Sequence, residues 1–197
     1  MKTFTEKKFN IPELVGMSAK TIEEHLKLYS GYVKHANLIL TKIAELKADA
    51  EKNAYALGEI NRRFGFEYNG MRNHEVYFAS LEGGAKPVSD GALKKAISAE
   101  WGSFDAWLAE FKSIALTRGI GWAMLYWDRK DGRLLNAWID EQHLGQLQDC
   151  ALVLGLDMWE HSFVADYQPS GKKKYIEDFF TNLNWSVVEE SFSRVAK

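Results

Sequence analysis

From Ile22 to Leu46, apolar and aromatic side chains recur at Tyr29, Tyr32, Ala36, Ile39 and Ile43, and His25 falls in the same phase, in steps of three and four. A helix turns residues so spaced onto one face, whereas a strand scatters them over two. Ser18, downstream of Pro12, has the side chain of a helix cap. A seam of this length requires a partner to cover it. A second series supplies one, at Leu57, Ile60, Phe64, Met71, His74, Phe78 and Leu81, with Glu67 interrupting the pattern. Gly65, Asn69 and Gly70 weaken its middle, since a helical glycine costs about 1 kcal/mol against alanine. Two long helices with a short connection predict an antiparallel hairpin. Each carries one histidine, His25 or His74, on its buried seam, whereas His35 is out of phase.

A cluster of breakers from Gly83 to Gly91, with Pro87, Ser89 and Asp90 inside it, closes this half of the chain. Beyond it the patterns are mixed. Short helices are expected at 93–97 and 104–116, the latter capped by Ser103 with Asp105 in its first turn. Strands are expected at 120–127, 134–139 and 150–156, and helices again at 175–183 and 187–195, with Asn184-Trp185-Ser186 as the break between them. The fold class is therefore α+β: an N-terminal helical hairpin domain, residues 1–84, and a C-terminal α+β domain, residues 85–197, with a three-stranded antiparallel sheet.

Composition narrows the function classes. The 197 residues, 46% of them hydrophobic, are enough for a real core. Lys+Arg 25 against Asp+Glu 27 gives a net charge of -2, without the basic excess of a nucleic-acid binder. Cys150 is the single cysteine, which excludes an internal disulfide framework and cysteine-based metal sites; it reads as a small buried hydrophobe. The apolar runs fall far short of a membrane span, and Met1 to Lys8 has no apolar leader core, so a cytoplasmic protein is expected. Five histidines remain as the scarce, chemically capable side chains.

His25 and His74 are polar residues on two facing seams, read either as core histidines bonded to carbonyls or as ligands. Asp157 and His161, in Asp157-Met158-Trp159-Glu160-His161, sit at the edge of the core. If that segment is helical, their spacing turns both to one face; the plainer reading is a cap and a surface histidine. Together the four residues offer three imidazoles and one carboxylate, a set suited to mononuclear iron, manganese or zinc. Trp122, Trp127, Trp138 and Trp159 fall near the expected sheet and cluster, as a stiff lining or as ordinary core. Gln142, beside His143, is either a surface-turn residue or a partner for metal-bound solvent.

The same segment, followed by Asp166-Tyr167, resembles the DxWEH signature of the iron/manganese superoxide dismutases. Further landmarks occur in order: Ser18 to His25, Asn73-His74 with Tyr77-Phe78, Gly119-Ile120-Gly121-Trp122-Ala123, and Asn184-Trp185. The resemblance implies an enzyme that converts superoxide to dioxygen and hydrogen peroxide at one manganese or iron ion per chain. It implies His25, His74, Asp157 and His161 as ligands, with solvent as the fifth. Tyr32 would stand at the substrate gateway and Gln142 would hydrogen-bond the solvent, while Trp122 and Trp159 line the pocket. Glu160 would reach across a two-fold homodimer to His161 of the partner subunit. Iron-type members commonly carry the solvent-bonding glutamine where this chain has Gly70; Gln142 stands in the manganese-like position and favours manganese.

Three departures accompany the resemblance. The segment between His25 and Tyr32 is one residue shorter and lacks the usual His-His pair. Val164 stands where the family carries a tyrosine that bonds one of those histidines across the dimer, and Phe78 stands where tryptophan is common. Both ends of the His–Tyr bridge are thus absent together. A family member that binds metal with little turnover, or a two-His-one-carboxylate iron enzyme, are the alternatives.

Overall fold

The structure, a computed structural model, describes residues 2–196. Met1 and Lys197, the outer ends of the two expected domains, lie outside the described residues. Helices α1 (Ala19–Leu46) and α2 (Ala54–Leu81) form the expected hairpin. Ser18 is extended, and its hydroxyl accepts the Thr21 amide at 3.2 Å to cap α1. At the other end Asn53 donates to the Leu46 carbonyl at 3.0 Å, closing the short turn into α2. Ile22, His25, Tyr29, Ala36 and Ile39 are buried along the α1 seam.

Glu67 does not interrupt α2. It is buried, and Arg63 donates to its carboxylate at 2.8 Å one turn back, so an ion pair replaces the expected apolar contact. Packing likewise overrides the weak helix propensity around Gly65 and Gly70. Ahead of α1, the N-terminal strap is tied down by Asn37, which exchanges hydrogen bonds with the Phe4 backbone, and by the Tyr29 hydroxyl, which accepts the Lys7 amide at 2.9 Å.

Helices α3 (Ala92–Trp101) and α4 (Phe104–Ala115) follow; Ser103 caps α4 by accepting the Ala106 amide at 3.0 Å. Strands β1 (Gly121–Asp128), β2 (Arg133–Asp140) and β3 (Cys150–Asp157) form an antiparallel sheet in the order β2–β1–β3. The central strand β1 is buried along most of its length, with α2 against β3 and α4 against β1 and β2. From β2 the chain returns to the far edge of β1 through residues 141–149. Glu141 at φ 52° and Asp149 at φ 61° occupy the left-handed region there.

The segment after β3 is not the helix that the spacing of Asp157 and His161 left open. Asp157 ends the strand, Trp159 is extended, and Glu160–Ser162 forms one 3-10 turn before the short helix α5 (Val164–Tyr167). Helices α6 (Lys172–Asn182) and α7 (Trp185–Val195) complete the chain. The break between them is narrower than expected: the Asn184 side chain accepts the Ser186 amide at 3.2 Å, so α7 starts at Trp185. No helix among the described residues is long and apolar enough to cross a membrane.

Candidate metal centre

His25 from α1, His74 from α2, Asp157 from the end of β3 and His161 from the following turn meet in the interior. One ligand atom from each lies within 4.8 Å of the others. Around Asp157 Oδ2 stand the Nε2 atoms of His25 and His161, both at 3.1 Å, and of His74 at 3.4 Å. Strand and 3-10 turn, and not a helix, bring Asp157 and His161 together.

The protonation pattern tests whether this set fits a cation. His74 Nδ1 lies 2.7 Å from the Gly70 carbonyl, which can only accept, so Nδ1 carries the proton. His74 Nε2 then presents a lone pair toward a carboxylate oxygen and has no hydrogen-bond partner. Two buried acceptors facing each other repel unless a cation lies between them. Burial pushes His74 down to about 3, the charge of His25 adding to the shift, and burial also lowers His25. Burial would raise Asp157, but the neighbouring His161 and His25 outweigh it and hold the carboxyl below its usual range. Neutral imidazoles and an ionised carboxylate are the forms that bind metal, so the residues fit the group.

A second layer orients the ligands. Trp159 N donates to Asp157 Oδ1 at 2.8 Å, while the Tyr175 and Ser162 hydroxyls donate to the Asp157 carbonyl at 2.9 and 3.0 Å. Of these, Ser162 and Tyr175 carried no signal in the sequence. Gln142 is fully buried: Trp122 Nε1 donates to its Oε1 at 3.0 Å, and its Nε2 donates to the Tyr32 hydroxyl at 3.1 Å. The Tyr32 ring lies 5.0 Å from His74. Seven residues of helix turn roughly 700°, close to two full turns, so the unbroken α1 puts Tyr32 on the face of His25 despite the shortened segment.

Gly70 makes this arrangement possible. A Cβ there would lie 2.6 Å from the Tyr32 ring, so a side chain at this position would have to displace that ring. Burial, and next the charge of Asp157, push the Tyr32 phenol well above its usual range.

Of the four tryptophans, Trp122 packs at 5.1 Å from His74 and Trp159 at 5.7 Å from His161. Trp127 instead packs on Phe192, and Trp138 bonds Asp140, so neither lines the site. Glu160 is exposed beside His161. His35 is exposed, 3.9 Å from Glu67, and His143 packs against Phe66.

A sequence-family model described as iron/manganese superoxide dismutases, C-terminal domain, matches residues 89–191. The chain is 37% identical over 188 residues to the superoxide dismutase [Fe] of Cupriavidus metallidurans, covering 94% of this chain and 93% of that protein. It is 34% identical to the superoxide dismutase [Fe] of Aquifex aeolicus, covering 93% of this chain and 88% of that one. The superoxide dismutase [Mn] of Mycolicibacterium smegmatis is also 34% identical, over 86% of this chain and 81% of the relative. An α+β fold of helical hairpin and three-stranded sheet, with three histidines and an aspartate at their junction, defines a class of metal-binding oxidoreductase. The chain belongs to the iron/manganese superoxide dismutase family.

Proposed function

We propose that the chain dismutes superoxide at a single metal ion held by His25, His74, Asp157 and His161. The observation that carries this reading is the proton-free His74 Nε2, fixed by Gly70 and facing Asp157 within a set of four ligand atoms, three of them on buried residues. Bound there, manganese or iron supplies one-electron chemistry, alternating between trivalent and divalent states. Two superoxide ions and two protons give one dioxygen and one hydrogen peroxide. The substrates are small and need little more than access, an anion-tolerant site and a proton supply.

The remaining residues divide that work. Gln142 donates to the Tyr32 hydroxyl, which leaves the phenolic proton free to be donated onward. Burial keeps that proton on Tyr32 near neutrality. Trp122 and Trp159 line the pocket and exclude bulk water. Glu160, exposed in the single chain, would meet His161 of the partner subunit in a homodimer. The same reading divides the chain at residues 84 and 85, with the site between the two domains, and places the protein in the cytoplasm. Glutamine on the loop after β2, with Gly70 on α2, favours manganese; the relatives named above include both iron and manganese enzymes.

Metal analysis with superoxide-decay assays after manganese or iron loading tests the reading. One ion per chain and catalysis well above free metal are expected. A second reading, metal held with little turnover, is favoured by Val164, which has no hydroxyl to complete the usual bridge. Full metal occupancy without dismutation would establish it.

A further inference from the structure

The side chain of Gln142 accounts for only half of how that residue is held. Its backbone carbonyl accepts two side-chain donors, Asn73 Nδ2 at 2.9 Å and Gln146 Nε2 at 3.3 Å. Gln146 Nε2 also lies 3.3 Å from Asn73 Oδ1, and Gln146 Oε1 accepts a hydrogen bond from the hydroxyl of Tyr126. Trp122 and Tyr126 project from the same face of β1, four residues apart, as Gln142 and Gln146 are on the loop. The strand thus grips the loop twice, through the Gln142 side chain and, by way of Gln146, through the Gln142 backbone.

The grip matters because the loop does not set Gln142 unaided. Glu141, just before it, has φ 52°, a conformation a non-glycine residue keeps only when its surroundings impose it. Trp159 Nε1 holds the Glu141 carbonyl at 3.1 Å from one side. Asn73 and Gln146 hold the next carbonyl from the other.

The geometry points to Gln146, locked by Tyr126, as a positioning residue that sets where the Gln142 amide stands relative to Tyr32 and the metal. This rests on the reading of Gln142 as the residue facing the metal. Gln146 acts through Gln142 and touches no reacting atom.

The test uses the metal-loaded protein with Tyr126→Phe and Gln146→Leu combined. Removing donor and acceptor together leaves no orphaned pair. Both residues line a cavity of about 310 Å³, through which water can reach the freed Asn73 amide. The readouts are metal content, reduction potential and the dissociation constant of azide, measured optically. Unchanged metal content is expected, with azide affinity changed at least threefold and the potential shifted in the direction that Gln142→Leu shifts it. Tyr126→Phe alone keeps both Gln146 donors in reach and gives a smaller shift of the same sign; it decides the matter if the double variant fails to fold. Wild-type potential and azide affinity in these variants, beside a shifted Gln142→Leu, would overturn the role of Gln146 alone. Wild-type values in Gln142→Leu as well would remove Gln142 from the metal and the inference with it.

Discussion

Gly70 carries three consequences in one residue. Its carbonyl fixes the proton of His74 at 2.7 Å, its missing side chain admits the Tyr32 ring, and Tyr32 in turn accepts from Gln142. Gly70→Ala gains helix propensity worth about 1 kcal/mol but drives a methyl into the ring, an overpacking cost of roughly 1–3 kcal/mol. The expected outcome is stability within about 2 kcal/mol of wild type by urea unfolding, with metal retained and turnover altered. Unaltered turnover would mean that Tyr32 tolerates displacement. Tyr32→Phe is the companion: metal retained, turnover or product inhibition changed, and full activity with an unchanged pH profile would remove the phenol from the reaction. Asp157→Ala acts on all three imidazoles at once, since each presents Nε2 to Oδ2. Metal content far below one per chain is expected by elemental analysis, and unchanged stoichiometry would sink the ligand assignment.

At the scale of elements, the start of α1 is fixed from a distance. Asp166 Oδ2, in α5, accepts the Ser18 amide at 2.8 Å, so the turn that follows His161 holds the helix that delivers His25. Burial would raise the Asp166 carboxyl, but the Ser18 amide and the hydroxyls of Thr21 and Ser18 win and lower it. A depressed folded pKa adds stability above the unfolded value, and that stability is lost as pH falls through the folded one. Asp166→Asn is therefore expected to cost about 1 kcal/mol near neutral pH. The gap to wild type closes below about pH 4, and a gap independent of pH in urea melts would exclude the ionised carboxylate as the cause. The periodicity of α1 and α2 was readable because each buries a long seam, and β1 as an apolar run with turn signals behind it. The Asp157–His161 turn was not: five residues carry no period, and hydroxyls of Ser162 and of Tyr175, on α6, fix its backbone. Strand parity did hold one unused signal, since Trp127 is five residues from Trp122 and must face the other side. Gln146 gave none, and Asn73 entered only as a landmark beside His74, because only the closed loop brings the two amides to Gln142.

For the molecule as a whole, the metal cluster is unevenly shielded. His25, His74 and Asp157 side chains are fully buried, whereas the His161 side chain is 22% exposed and its neighbour Glu160 lies in solvent. Ile120 and Leu144 are 42% and 50% exposed at the adjoining loop, where Ile120 O accepts the Glu141 amide. The edge of one ligand thus opens to solvent, and under the homodimer proposal a second copy of the chain would cover it. Two-fold symmetry would make any contact between Glu160 and His161 of the partner subunit occur twice. Truncating one member of a buried charged hydrogen bond costs 2–5 kcal/mol, and each 1.4 kcal/mol is tenfold in affinity. Glu160→Ala is accordingly expected to weaken dimerisation at least tenfold in sedimentation experiments and to lower metal retention. Glu190→Ala, an exposed site on α7, should change neither. If Glu160→Ala dimerises and holds metal as the wild type does, the exposed edge of His161 is closed by something other than Glu160, and assembly is not coupled to the metal through that residue.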